Sequence, residues 1–284
     1  MHKSFLFFIA SIIFLSGCVL PNGGGELHRA TTGLITKEWK PVQITQNFLP
    51  KQPIDFDLVL ENIGREDAES VRIETDSAFG LQPPCTVNKV AAGQETSCSF
   101  SGFVPDIPGG LQVEKQARVS VLYKYKSVAT QTMQVKSYEQ AKLAHDAGNP
   151  LTFFESVVPK NSPLEIEIQA KTPVTVFQNT FTSPILITVK NTGGGIVCSP
   201  DCQTGENKFG YQVEILEQGV QFSKNCQPKG VSSLKKGESY TLPCTTIEST
   251  QPQFDKFPVI RVTLEYEYKT EDESSILIDT TGRI

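Results

Sequence analysis

The chain has few of the residues on which most catalytic and nucleic-acid-binding sites depend. Its 284 residues include only three histidines, one tryptophan and two methionines, which leaves little material for histidine-based catalysis. The formal net charge of -5 argues against a nucleic-acid-binding protein, which usually carries a basic face. By contrast, the 21 glycines and 18 prolines are typical of a β protein with many turns. The composition therefore favours a β protein that binds no nucleic acid.

The N-terminus has the pattern of an export signal. A lysine at position 3 precedes an apolar stretch that runs to Leu15, as in a secretory signal peptide. The stretch ends in Leu15-Ser16-Gly17-Cys18, which resembles the prokaryotic lipobox. This resemblance implies that residues 1–17 are removed and that Cys18 carries the lipid. The alternative is an uncleaved anchor helix, because the apolar run extends to Leu20, near the lower length limit for crossing a bilayer.

A flexible tether is predicted for residues 18–29. This segment contains Pro21 and three consecutive glycines, which neither pack nor hold a helix. Whether the signal is cleaved or retained, the chain would be attached to a membrane from outside the cytoplasm. No Asn-x-Ser/Thr sequon occurs in the sequence, which favours a prokaryotic envelope. We therefore expect a lipid-anchored protein on the extracytoplasmic face of a prokaryotic membrane, either bacterial or archaeal.

The chain contains one internal repeat. Four sequence blocks of the first half match four blocks of the second half in the same order. The matched blocks begin at Pro41 and Pro173, Phe56 and Ile185, Val90 and Leu234, and Val119 and Val262. The spacing between matched blocks changes mainly between Asn191 and Gly237, where the second unit gains roughly fifteen residues, assigned to an insertion at 195–209.

The repeated blocks have the pattern of half-buried antiparallel strands. Phe56, Leu58 and Leu60 alternate with more polar residues, and the valines of 119–125 share one face with Tyr123 and Tyr125. Such alternation of period two is the signature of a strand with one buried face. The predicted fold is all-β, with antiparallel β-sandwiches over residues 30–137 and 162–284 joined by a helical linker over 138–161.

The order of the motifs resembles a known class of domain. Each unit has a strand, an Asn-x-Gly turn after Asn62 or Asn191, a further strand, a glycine turn and a closing strand. This order is similar to that of the bacterial and archaeal immunoglobulin-like domains of the CARDB type. The turn Leu234-Lys-Lys-Gly237-Glu238 fits that pattern, whereas the first unit has Gln94 in place of the final Glu. The resemblance implies an immunoglobulin-like fold and a role as an adhesion, spacer or interaction module, without identifying a ligand.

The cysteines agree with an oxidising compartment. Apart from Cys18, the chain has six cysteines, an even number, as expected of a disulfide-bonded exported protein. Alignment of the repeat assigns the pairs Cys85–Cys98, Cys226–Cys244 and Cys198–Cys202. The alternative is a zinc site built from the last four of these cysteines; we favour disulfides and expect no metal.

Three further features have both a structural and a functional interpretation. Ser137 and Gln140 form a predicted capping box for one short linker helix, on which His145 is expected to be a solvated surface residue. The paired tyrosines of the closing strands are expected to pack in the core with exposed hydroxyl tips, the alternative being a sugar-stacking platform. Trp39 is expected to be a plug between tether and domain rather than an exposed anchor.

No catalytic motif is present in the sequence. It lacks a nucleophile motif, a phosphate-binding loop and a metal-spaced His/Asp cluster, so we expect no enzyme activity and no cofactor. The favoured function is a membrane-anchored binding or adhesion module whose partner is another envelope or surface protein. The alternatives are a structural or accessory subunit of an envelope assembly and a carboxylate-based hydrolase. The insertion at 195–209 is either a recognition loop restricted by a disulfide or a neutral insertion.

Overall fold

A computed structural model describes most of the chain after its N-terminal segment. The described residues are 30–43, 47–82, 86–148, 161–170, 173–176, 181–198, 207–217, 219–224, 226–234, 238–244, 246–249 and 257–281. The predicted signal peptide, the tether and Cys18 lie outside them and stay predictions.

The chain is all-β, as the sequence predicts, and one α-helix lies between the two halves of the described chain. The strands of the first half are β1 (Leu34–Pro41), β2 (Pro53–Asn62), β3 (Ala68–Thr75), β4 (Lys89–Val90), β5 (Glu95–Phe103), β6 (Gln112–Thr132) and β7 (Val135–Ser137). The helix is α1 (Tyr138–Asp146). The strands of the second half are β8 (Leu164–Ala170), β9 (Val174–Val176), β10 (Phe181–Asn191), β11 (Ile196–Cys198), β12 (Lys208–Ile215), β13 (Gln221–Phe222), β14 (Lys229–Ser233), β15 (Ser239–Thr241), β16 (Thr246–Ser249) and β17 (Val259–Asp279).

The capping box predicted for the helix is confirmed. The Ser137 hydroxyl accepts a hydrogen bond from the Gln140 backbone N–H at 3.1 Å, and the Gln140 side chain accepts one from the Ser137 N–H at 3.0 Å. These two bonds satisfy donors that the first turn of a helix otherwise leaves free. His145 lies in the last turn with its side chain exposed, 3.5 Å from Asp146, so it is a surface residue as expected.

The strands of the described residues form three larger sheets and one short parallel pair. The first sheet has the order β1-β2-β5 and the third has β13-β16-β10-β15 with β8 also beside β10. The second is a seven-stranded sheet of order β14-β12-β17-β6-β3-β4, in which β11 also pairs with β17. The pair β7-β9 is parallel, and the ladders of the larger sheets are antiparallel.

The two repeated units share the seven-stranded sheet, which the sequence did not predict. Their closing strands, β6 and β17, pair side by side over their whole lengths, from Val259 opposite Thr132 to Asp279 opposite Gln112. We call this pairing the central seam. The units are therefore joined by a continuous sheet as well as by the linker predicted over 138–161.

One face of the shared sheet is covered and the other is open to solvent. Odd-numbered residues of β6 and even-numbered residues of β17 are buried, and the register places them on the same face. The buried residues of β2 and β10 join these in one apolar core. Both smaller sheets therefore pack on the same, inner face, and the outer face carries the alternate, mostly polar side chains.

The seam has approximate two-fold symmetry. The repeat matches Tyr123 with Tyr266 and Tyr125 with Tyr268, whereas the sheet places Tyr123 opposite Tyr268 and Tyr125 opposite Tyr266. A two-fold axis between Lys124 and Glu267, which face each other at the centre of these pairs, accounts for both relationships. The chain is thus arranged like a symmetric dimer made from one polypeptide.

Candidate functional site

The structure contains the disulfide that the repeat assigns to the second unit. Cys226 is bonded to Cys244, so these two sulfurs are not free to act as zinc ligands. Cys98 and Cys198 also take part in disulfides, but Cys85 and Cys202, which the sequence pairs with them, lie outside the described residues. Those two pairings stay predictions. A structural disulfide indicates an oxidising, extracytoplasmic compartment.

The repeated tyrosines are core residues, but the prediction that their hydroxyl tips are exposed is wrong. Tyr123 and Tyr268 are almost completely buried, and the four rings meet at centroid distances of 5.9–6.2 Å around the two-fold axis. The Tyr268 hydroxyl donates to the Asn191 side chain at 2.8 Å, and the Tyr266 hydroxyl lies 2.8 Å from that of Ser127. Burial raises the pKa of Tyr123, Tyr266 and Tyr268 well above its ordinary value.

The two Asn-x-Gly turns are held by matched hydrogen bonds. The Asn62 side-chain oxygen accepts from the Gly64 N–H at 3.1 Å, and Asn191 accepts from the Gly193 N–H at 3.3 Å. Both asparagines are buried, and their amide groups also donate to backbone carbonyls. The two asparagines therefore make the same hydrogen bonds in the two units, which supports the internal repeat.

Segments at the start of each unit cross to the turn of the other unit. The Thr31 N–H donates to the Gly193 carbonyl at 2.9 Å, and the Gly33 N–H donates to the Asn161 carbonyl at 2.7 Å. The Asn161 side chain in turn donates to the Ile63 carbonyl at 3.3 Å. We call these reciprocal contacts the clasp. They lie on the inner side of the shared sheet. The N–H of Leu34, the residue after Gly33, donates a hydrogen bond to the hydroxyl of Tyr123, whose side chain is on that face.

Trp39 is part of the core rather than a plug beside the tether. Its ring stacks on Phe56 at 4.8 Å and meets Phe100 edge-on at 5.6 Å. Its indole N–H donates to the Ala117 carbonyl on β6 at 2.9 Å. The single tryptophan therefore connects the first sheet to the shared sheet.

A charged groove lies on the open outer face beside the two-fold axis. Its volume is about 580 Å³, within the range of roughly 300–1,000 Å³ that is usual for ligand sites. The residues that line it are Glu66, Asp67, Glu69, Lys124, Tyr125, Lys126, Glu265, Tyr266 and Glu267. We call it the axial groove. Its charged side chains come from both units, since β6 supplies the lysines and β17 supplies two of the glutamates.

Two of the carboxylates that line the groove form ion pairs with basic residues. Arg72 reaches Glu267 at 3.4 Å across the outer face, and Lys89 is paired with Asp67. The hydrogen bond from Lys89, with a second from the Ala92 N–H, lowers the pKa of the partly exposed Asp67 carboxyl. Lys124 lies between Glu69 on one neighbouring strand and Glu267 on the other. The groove is therefore lined by charges of both signs, with carboxylates in excess.

The two units differ in the strand that lies beside the closing strand, near the axial groove. In the first unit β3 has an irregular register between Glu69 and Arg72 as it pairs with β6. In the second unit the matching strand is divided into β11 and β12, which both pair with β17. The insertion predicted at 195–209 therefore includes β11 and the start of β12, and its residues 199–206 lie outside the described residues. Cys198 faces Glu267 and Gly210 faces Glu265, so β11 and β12 both lie beside groove residues.

The sequence did not predict the axial groove. A signal was present, since Lys124 and Lys126 flank Tyr125 in one closing strand while Glu265 and Glu267 flank Tyr266 in the other. It could not be interpreted without the register that brings the two strands together. The structure gives no metal-binding cluster of His, Cys, Asp and Glu among the described residues. Within the same residues, no helix is long and apolar enough to span a membrane.

Comparisons with known proteins do not assign a family. No protein-family model matches the chain, and no curated protein matches it in sequence. Among solved structures, the secreted serine protease VesC from Vibrio cholerae is 14% identical over 81% of this chain, with a TM-score of 0.21. This chain covers 50% of the length of VesC.

A second similarity is with the collagen binding domain of surface protein RspB from Erysipelothrix rhusiopathiae. The identity is 8% over 87% of this chain and 94% of that domain, with a TM-score of 0.15. Neither similarity is close enough to support a function for this chain.

Proposed function

We propose that the protein is a lipid-anchored, non-enzymatic binding module on the extracytoplasmic face of a prokaryotic membrane, built from two immunoglobulin-like units of the CARDB type. Its partner would be another envelope or surface protein, contacted through the outer face of the shared sheet. The observation that carries the proposal is the open outer face itself, on which both units contribute charged residues to one groove. A rigid sheet that presents such a surface favours recognition, because little order has to be gained on binding.

The chemistry of the groove favours binding over catalysis. A glycosidase of the carboxylate type needs one carboxyl group whose pKa is raised, so that it can donate a proton. Ion pairing has the opposite effect at Asp67, whose pKa is lowered, and Glu267 is paired with Arg72. His145, which lies on α1, does not line the groove. These features support a non-enzymatic role.

A structural or accessory role in an envelope assembly is the second candidate. It is favoured by exposed apolar side chains at the end of the first sheet, where Phe103 is 63% exposed and Val42 is 48% exposed. Phe103 lies opposite Pro53 in the β2–β5 ladder. Exposed apolar groups on a stable domain commonly mark a surface that another protein covers.

Membrane attachment is tested at Cys18. Replacement of Cys18→Ser should remove the lipid-bearing thiol, so that the protein moves from the detergent phase to the aqueous phase in a phase-partition assay. The Cys98→Ser variant is the matched control, since it removes a cysteine of the folded chain and should leave partition unchanged. Continued partition of the Cys18→Ser protein into detergent, without a lipid adduct by mass spectrometry, would favour the uncleaved anchor helix instead.

The binding surface is tested by crosslinking in intact cells. A photoreactive residue in place of Lys126, in the groove, should give a discrete adduct with one envelope protein, whereas the same group at Ser99 on the first sheet should give none. Reversal of two groove charges, Glu69→Lys with Glu265→Lys, should reduce that adduct about fivefold, because a partner surface that complements the excess carboxylates of the groove would then meet two lysines. The charge reversal Glu165→Lys, on the exposed face of β8, is the matched control.

Two results would contradict the proposed surface. The first is an adduct at Lys126 that is equally strong in the wild type and in the Glu69→Lys, Glu265→Lys variant. The second is an adduct at Phe103 with none at Lys126, which would support the structural role.

A further inference from the structure

The central seam is an interface that can form between two chains as well as within one. The strands β6 and β17 are each 21 residues long, and without the other unit each would be the open edge of its sheet. Long open edges readily pair with another polypeptide. The contacts between units in the seam and the clasp join first-unit residues to second-unit residues, so the second unit of another copy offers the first unit an identical surface.

The charges near the axis decide which units pair. In the folded chain Lys124 faces Glu267, Lys126 faces Glu265, and Arg118 faces Glu273, with an Arg118–Glu273 distance of 3.4 Å. If two first units paired by the same symmetry, Lys124 would face Lys124 of the other copy. If two second units paired in this way, Glu267 would face Glu267. Directly opposed like charges destabilise a strand pair, so the seam favours pairing of a first unit with a second unit.

We propose that the seam is a charge-selective interface through which two copies of this chain exchange units, the first unit of each pairing with the second unit of the other. The product is a closed two-fold dimer, because both seams are then filled and neither closing strand is left open to recruit a third copy. Exchange forms no contact that the monomer lacks, so the balance between monomer and dimer depends on protein concentration. Attachment to a membrane would raise that concentration.

The test uses two full-length charge variants, Lys124→Glu and Glu267→Lys, in detergent. Each variant alone places like charges opposite one another within its own seam. When the two are unfolded and refolded together, the exchanged dimer places the introduced glutamate opposite the introduced lysine in one seam and restores Lys124 opposite Glu267 in the other. The mixed dimer should therefore exceed the dimer of either variant refolded alone by about tenfold. Native mass spectrometry of copies with different isotope labels distinguishes these species.

Controls separate exchange from other causes of association. A single chain carrying both substitutions should have the monomer–dimer balance of the wild type, because its own seam again has opposite charges and the neighbouring Glu69 and Arg72 lie beside the seam in monomer and dimer alike. A disulfide trap identifies the contact directly: Ser120→Cys in one copy and Glu271→Cys in the other occupy facing positions and should form a covalent dimer after joint refolding. The proposal is overturned if the refolded mixture has no excess of mixed dimer, or if mixed dimers form without the Ser120→Cys to Glu271→Cys bond.

Discussion

Replacement of Tyr123→Ala is expected to lower the free energy of unfolding by about 4 kcal/mol, the usual cost of removing a large buried aromatic side chain. The ring contacts Tyr125 in its own unit and Tyr268 in the other, each at 5.9 Å, and its hydroxyl is bonded to the Leu34 backbone. The substitution therefore removes packing on both sides of the seam. Urea-induced unfolding, followed by circular dichroism, measures the loss.

The same experiment asks whether the two units unfold together. Because the core and the sheet are continuous across the seam, the wild type should unfold in one transition, and Tyr123→Ala should shift that transition as a whole. The control is Tyr138→Ala, since Tyr138 is 56% exposed on α1, and its cost should be about 0.5 kcal/mol or less. Two separate transitions in the wild type would contradict a shared core.

The second large effect is expected at Gly64, in the turn that follows β2. A Cβ atom at this position would lie 1.8 Å from the Tyr125 hydroxyl oxygen and 3.2 Å from the Asn161 carbonyl oxygen. The buried Tyr125 ring has little space to move, because it packs on Tyr123 and Tyr266. Gly64→Ala should therefore cost about 3 kcal/mol, at the upper end for overpacking.

The matched control for Gly64 is another glycine of the same unit. A Cβ atom added at Gly109 would have no other group within 4 Å, so Gly109→Ala should change the free energy of unfolding by about 0.5 kcal/mol or less. Thermal unfolding of the wild type and the two variants side by side gives the comparison. Equal melting temperatures for the two variants would show that the turn can move away from Tyr125, and that the clasp tolerates the movement.

The sequence predicts the strands well because their pattern is local. Alternation at Phe56, Leu58 and Leu60 correctly predicts which side chains of β2 are buried. The capping box at Ser137 and Gln140 likewise depends on residues three positions apart. Features of this kind need no knowledge of the partner strand, so one sequence is enough to find them.

The shared sheet and the axial groove could not be predicted in this way. Alternation at Tyr123 and Tyr125 reports that one face is buried, but not which strand lies beside β6. The expected exposure of the tyrosine hydroxyls was wrong for the same reason, because their partners, such as Asn191 for Tyr268, come from sequence positions 77 residues apart. The sequence likewise could not predict that Lys124 and Glu267 lie opposite each other, because this depends on the register between β6 and β17.

The position of the clasp would have a mechanical consequence if the N-terminus is anchored as we propose. Tension applied to the chain ahead of Ala30 reaches the bonds of Thr31 to Thr192 and Gly193 first. It then acts on Leu34, at the end of β1 that lies opposite Asn62. Because β1 is the outer strand of its sheet and is pulled from one end, its hydrogen bonds break one after another rather than together. Tension on the N-terminus would therefore load β1 and the contacts of Trp39 before it reaches β6 and β17, which remain paired at the centre of the molecule.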